Sequence, residues 1–190
     1  MSRTDLLERV IAYLAEAGVG DRSLRQIAEG AGTSHRMLIY HFGSRDGLLV
    51  EVVRAVEARQ REVRAALSGN SPREMALSFW RTLADPALAP YERLFFELYG
   101  AALGGQSSVA PVLDGIVTSW LEDDTMFAGL PRAQARMALA FSRGALLDLL
   151  ATGDRAAVDE MVLAFVNLVW GSGPPEQPQG DTGHRDDTDD

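Results

Sequence analysis

SLRQIAEGAGTSHRMLIYHFGSRDGLL, residues 23–49, alternates helix-opening and helix-breaking residues at short range. Ser23 stands three positions before Gln26, so each side chain can serve the other's backbone amide and open a helix. That helix has to stop at Gly30 or Gly32. Thr33 or Ser34 then caps a second short helix ending near Phe42, and Gly43 breaks it before Ser44 caps the next. The product is two short helices about a tight glycine turn. Ile27, Ala28 and Leu38 are the apolar contacts that fix their crossing, with Ala28 small enough to permit close approach.

The flanking sequence continues in the same helical register. Leu6, Leu7, Val10, Ile11 and Leu14 form the inward stripe of a first helix, which Gly18 and Gly20 end. Leu48, Leu49, Val52, Val53 and Val56 begin a long fourth helix running towards Leu67. Ser68-Gly69-Asn70-Ser71-Pro72 reads as a linker. Beyond it, periodicity and the Pro and Gly positions predict helices at about 72–84, 88–104, 108–127, 131–151 and 155–170. Strand signals are nearly absent, so the fold class is all-α.

This gives three regions: 1–47, an N-terminal three-helix unit containing the helix-turn-helix; 48–170, a C-terminal helical bundle; and 171–190, a disordered acidic tail. The terminal helix is apolar on every side, through Val158, Met161, Val162, Phe165, Val166, Leu168 and Trp170. Such a helix needs cover on two faces, and the simplest second cover is another copy of the chain, with Phe165 and Trp170 in the interface.

Composition narrows the function classes. The 190 residues are 46% hydrophobic, enough for a sizeable core, and contain no cysteine, which removes disulfides, thiolate metal sites and thiol nucleophiles. The N-terminus shows no basic-then-apolar export signal and no segment has the length of a membrane span, so a soluble, cytoplasmic protein is expected. The formal net charge is -9, yet residues 1–64 hold ten Arg against nine Asp and Glu. Screening acts over about 8 Å at physiological salt, so a phosphate-facing surface answers to its local charge and not to a distant tail. Within the bundle, the Arg54, Arg59, Arg61, Arg64 series alternates with Glu51, Glu57 and Glu62, the pattern of ion pairs on a solvated helix.

A two-turn helix followed by a second short helix with polar residues at its start is the arrangement of a DNA-reading helix-turn-helix. Ser34, His35, Arg36 and Met37 are then placed to reach base edges, where Arg bonds guanine and an apolar side chain touches the thymine methyl. Tyr40, His41 and Arg45 suit phosphate oxygens, Arg45 with help from the positive end of the fourth helix. Arg25 and Thr33 complete the DNA-contact set. His35 and His41 are six residues apart and do not share a helix face, so no metal is assigned. No cofactor and no catalytic residue are assigned either: between His41 and His184 there is no histidine from which to build a Ser-His-Asp arrangement, and Gly104-Gly105 lacks the features of a phosphate loop.

The same stretch, SLRQIAEGAGTSHRMLIYHFGSRDGLL, resembles the DNA-binding segment of the TetR family of bacterial transcriptional regulators. The residues that carry the resemblance are Ile27-Ala28, Gly32, Ser34, Leu38, Tyr40-His41-Phe42 and Ser44-Arg45 followed by Leu48. Ile39 departs from it, standing where the family usually has a tyrosine that reaches the phosphate backbone. The family's lysine after the Ser of the fourth helix is Arg45 here, which keeps the charge. The resemblance implies a homodimer on double-stranded DNA with a roughly palindromic operator, repression, and a small, largely apolar effector of unknown identity held in the C-terminal domain. Trp80, Tyr91, Phe95, Tyr99, Trp120 and Phe141 are the candidate lining residues, with Tyr91, Tyr99, Arg81, Glu97 and Arg143 as polar contacts. The alternative reading is a helical dimer that acts through protein–protein interactions without specific DNA binding.

Overall fold

The computed structural model describes residues 2–65, 71–104, 110–122 and 130–171, and all regular structure among them is helical. The expected acidic tail, the end of the helix expected at 108–127 and most of the expected linker at 68–72 lie outside the described residues. The helices are α1 (Arg3–Ala17), α2 (Leu24–Gly30), α3 (His35–Phe42), α4 (Arg45–Ala65), α5 (Pro72–Leu83), α6 (Ala89–Leu103), α7 (Ala110–Leu121), α8 (Arg132–Thr152) and α9 (Arg155–Trp170).

The caps read from sequence are in place. Ser23 Oγ accepts from the Gln26 amide at 3.3 Å, and the Gln26 side chain accepts from the Ser23 amide at 2.8 Å. Ser34, rather than Thr33, caps α3 by accepting from Met37 N at 3.2 Å. Ser44 Oγ accepts from Gly47 N at 3.0 Å at the start of α4. Between α2 and α3 the chain turns at Gly32, whose φ of 63° lies in the left-handed region that only glycine enters at little cost. Arg9 of α1 donates to the Gly32 carbonyl at 3.0 Å, so the turn is tied to the first helix as well as to its neighbours.

Leu6, Val10 and Leu14 of α1, Ile27 of α2, Leu38 of α3 and Leu48 and Val52 of α4 are each wholly buried. They form the three-helix core on which α4 closes, and removing several large apolar side chains from water supplies most of its stability. This core does not end at the domain boundary. One continuous cluster of buried residues runs from Leu6 through Leu94, Phe95 and Leu98 of α6 to Trp120 of α7 and Leu139 of α8. Helix α6 is the shared element, packing against α1 and α4 on one side and α7 and α8 on the other. A second cluster joins Trp80 of α5, Leu146 of α8 and Val158, Val162 and Val166 of α9.

Phe165 and Trp170, expected at an interface between copies, also pack within their own chain. Both are half-buried against their own chain, and the Phe165 ring stacks on Phe141 of α8 at 3.8 Å and 8°. The apolar side chains that α8 and α9 leave exposed are Met137, Leu147, Met161, Leu163 and Leu168, the last at 83%. Helix α9 spans only about four turns, and a bulky aromatic on its inner edge gains more from α8 of the same chain than from solvent.

Two glycines hold close approaches that the capping pattern did not reveal. A Cβ on Gly30 would lie 2.1 Å from the Tyr13 ring, and one on Gly47 would lie 2.3 Å from the backbone carbonyl oxygen of Phe42. A tyrosine ring can shift; a carbonyl held at the α3–α4 junction cannot. Alanine is worth about 1 kcal/mol more than glycine in a helix interior. Gly47→Ala is nonetheless expected to lose about 1–3 kcal/mol of stability through overpacking, and Gly30→Ala less, as checked by urea denaturation of both variants.

Candidate nucleic-acid interface and interhelical cavities

Leu38 and Phe42 anchor α3 from below, and the opposite surface of that helix faces solvent. Ser34, His35, Arg36, Ile39 and Tyr40 are exposed, Met37 and His41 half-buried, and Thr33 is half-buried at the turn. His35, Arg36 and Tyr40 form no side-chain hydrogen bond or ion pair among the described residues. Arg25 is exposed on α2 and likewise has none. Their donors are therefore available to an outside partner without breaking an internal contact. Tyr40 is 79% exposed, and its ring meets that of His41 edge-on at 4.9 Å. Ile39 is 43% exposed beside it, an apolar side chain in the middle of a polar surface.

Arg45 behaves differently from the others. Its Nε donates to the Arg22 carbonyl at 2.7 Å and its Nη2 to the Gly20 carbonyl at 2.8 Å, so its fork is turned inward onto the α1–α2 turn. A residue expected at phosphate oxygens thus positions α4 against the turn that precedes α2. The same turn is held from the other side by Glu97 of α6, expected to be a pocket residue. Its carboxylate accepts from Val19 N at 2.9 Å and from Gly20 N at 2.6 Å. Val19 and Glu97 are far apart in sequence, and no local pattern announces the contact. Glu97→Ala leaves two backbone amides without their acceptor. It is expected to cost about 1–3 kcal/mol, read from denaturant unfolding, whereas Glu97→Gln retains an acceptor and costs less.

Two spaces lie between the helices of the C-terminal half. The inner one, about 30 Å³, has room for a water molecule and is lined in part by Gln60, Phe79, Glu92, Phe95, Trp120 and Arg143. The outer one is an open groove of about 450 Å³, in the size range of small-molecule sites, with Phe95, Tyr99, Leu103, Leu139, Arg143 and Leu147 among its walls. Of the six aromatic residues expected to line a pocket, Phe95, Tyr99 and Trp120 are at these spaces. The other three have structural places: Trp80 donates to Asp159 at 2.6 Å, Tyr91 lies under the Arg59 guanidinium at 5.0 Å, and Phe141 stacks on Phe165.

Glu57, expected on a solvated face, is 3% exposed and accepts from Trp120 Nε1 at 2.5 Å. Glu92 is 2% exposed and accepts from the Gln60 amide at 2.7 Å. Sequence did carry a signal for the first of these. Glu57 and Gln60 fall one helical turn after Val53 and Val56, so they extend the inward stripe of α4 into the bundle. Burial pushes the Glu57 carboxyl up from its ordinary value. It pushes Glu92 up to about 7, with the nearby Glu57 charge adding to the effect and the Gln60 hydrogen bond opposing it. The folded state therefore keeps a proton on Glu92 that the unfolded chain has already lost, in the window between the unfolded value near 4.5 and about 7. Stability should fall as pH rises through that window and level off above it. Glu92→Gln should flatten the slope, as measured by thermal unfolding of both proteins across that range.

An exposed α3 carried on a small three-helix unit and joined through α4 and α6 to a helical bundle with an open groove is the architecture of a helix-turn-helix protein. The family model described as bacterial regulatory proteins, tetR family, matches residues 6–52, which run from α1 into α4. The HTH-type transcriptional regulator BetI of Pseudomonas paraeruginosa is 35% identical over 75 residues, covering 37% of this chain and 38% of the relative. The chain thus matches well under half the length of that curated relative. Among solved structures, a transcriptional regulator from Rhodococcus sp. Rha1 has a TM-score of 0.76 at 16% identity, covering 92% of this chain and 100% of that one. NalD, the secondary repressor of the MexAB-OprM multidrug efflux pump in Pseudomonas aeruginosa, has a TM-score of 0.60 at 20% identity, covering 86% of this chain and 94% of its own. These likenesses extend the shared fold over both halves of the molecule.

Proposed function

We propose that the protein is a sequence-specific DNA-binding transcriptional regulator, a repressor released from its operator by a small molecule bound in the C-terminal half. The observation that carries this reading is the surface of α3. Exposed His35 and Arg36 stand on a helix whose inner side is fixed by buried Leu38 and Phe42, and their polar groups are uncommitted, while exposed Ser34 caps the start of that helix. Arg36 and His35 are assigned to base edges together with Ser34 and Met37; Tyr40, His41, Thr33 and Arg25 are assigned to the phosphates. Arg45 contributes by setting the angle of α4 and the α1–α2 turn. Ile39 presents an apolar surface to sugar or to a thymine methyl in place of a phenolic contact.

The exposed Met161, Leu163 and Leu168 of α9, with Met137 of α8, support a homodimer, since an apolar surface of that kind on a monomer is costly in water. Two copies then set their α3 helices at about one DNA turn, ~34–36 Å, on a roughly palindromic site. The effector acts by binding the DNA-competent and DNA-incompetent arrangements with different affinity. Residues 1–47 are assigned to DNA and 48–170 to effector and dimer. No catalytic step is part of this function.

Selection of duplexes from random DNA should recover a site with two inverted halves. On that site Arg36→Ala should lose ~1–3 kcal/mol of binding and relax the preference at one base pair in each half. Unchanged affinity and unchanged base preference in a titration of the variant would remove Arg36 from the reading group. Failure to enrich any sequence would favour the alternative of a helical dimer with protein partners.

A further inference from the structure

Glu92 is a buried carboxyl with no ion-pair partner among the described residues. It and Glu57 are both at least 97% buried among aromatic side chains, where an ionised carboxylate is normally matched by a cation. Glu57 has the Trp120 indole and, at 3.8 Å, the Arg143 guanidinium. Glu92 has only the neutral Gln60 amide and forms no ion pair among the described residues. The other cation that acts on Glu57 is Arg61, which lies over the Trp120 ring at 5.7 Å.

Arg143 stands where the inner cavity meets the outer groove, lining both. Its guanidinium lies 5.8 Å from the centre of the Phe95 ring and 5.7 Å from that of Tyr99. No hydrogen bond anchors it among the described residues, and its distance to Glu57 is that of a loose ion pair. The protein therefore already keeps a cation between two aromatic faces and a buried carboxylate, in a place where that cation is held weakly. Beyond it opens the groove of about 450 Å³ with apolar walls at Leu103, Leu139 and Leu147. An anionic guest would meet two buried carboxyls that already resist ionisation, and a neutral guest would leave Glu92 with the Gln60 amide alone.

We propose that the small molecule this domain binds is an organic cation with an apolar body: its body occupies the outer groove, and its ammonium head displaces the Arg143 guanidinium from Phe95 and Tyr99 and faces the carboxylates of Glu57 and Glu92. The inference rests on the reading of this half as the effector domain and names the chemical class of that effector. A carboxyl pushed up to about 7 fits the role, because an arriving cation holds it ionised and the bound state releases a proton.

The test uses the full chain, without DNA, and two probes of the same shape: benzyltrimethylammonium, a permanent cation, and neopentylbenzene, its uncharged isostere. Calorimetric titration should show the cation binding at least about tenfold more tightly than the isostere. Its affinity should rise about tenfold from about pH 6 to about pH 8, as Glu92 loses its proton. In Glu92→Gln the cation should lose that pH dependence and about tenfold in affinity, while the isostere binds variant and parent alike. Tyr99→Leu, which leaves both carboxylates intact, should weaken only the cation. If Glu92→Gln fails to unfold cooperatively on heating, the pH profile of the parent and the Tyr99→Leu comparison decide the matter. Equal binding of the two probes, cation binding indifferent to pH and to both substitutions, or no cation binding at millimolar concentration would each overturn the proposal. A chain that selects an operator yet ignores the cation refutes only the ligand class; one that binds the cation through Glu92 yet selects no DNA refutes the regulator reading instead.

Discussion

The turn between α1 and α2 is gripped from two sides by opposite charges. Glu97 of α6 takes the amide hydrogens of Val19 and Gly20, and Arg45 of α4 takes the carbonyls of Gly20 and Arg22. Charge-assisted hydrogen bonds of this kind are roughly twice as strong as neutral ones, and each here also satisfies a backbone group that the turn would otherwise leave to water. A three-helix unit of this size has little core of its own. Its orientation relative to the bundle therefore depends on the clamp and on the apolar surface that α1 shares with α6.

That arrangement gives α6 two tasks on neighbouring turns of one helix. Glu97 is fixed to the N-terminal unit, while Glu92, Phe95 and Tyr99 border the inner cavity and the groove. A guest that moves the rings by a fraction of a helical turn must either carry Glu97 with them or strain the helix. In the proposed mechanism this is where occupancy of the groove meets the placement of α3. Helix α4 provides a parallel connection, since Arg45 at its start holds the turn and Glu57 and Gln60 near its far end enter the bundle.

Much of the N-terminal unit was legible because its instructions are local. A Ser three residues before Gln, a glycine forced into positive φ and a leucine stripe at helical spacing act within one or two turns of chain, and the observed helices follow them closely. The exposed set on α3 was legible for the same reason, as burial of Leu38 and Phe42 dictates which residues point outward. Arg45 was legible as a charge but not as a tether, because its acceptors are carbonyls of a turn more than twenty residues earlier. The aromatic residues of the bundle were legible as a group; which of them border open space was not. Trp80 and Phe141 have the same composition signal as Phe95 and Trp120, and only their neighbours on α9 remove them from the cavity.

The sequence by itself determined the class of the fold, the position of the two short helices and the residues that α3 offers to a partner, since these follow from caps, breaks and periodicity acting at short range. Tertiary structure alone decided that Glu92 is buried beside a cavity, that Glu97 serves the α1–α2 turn, and that Arg143 rests between two aromatic rings. The reason is physical: a charged side chain has the same pattern in a sequence whether water or protein surrounds it. Only the packing of distant helices sets the dielectric, the partner and hence the chemistry of each one.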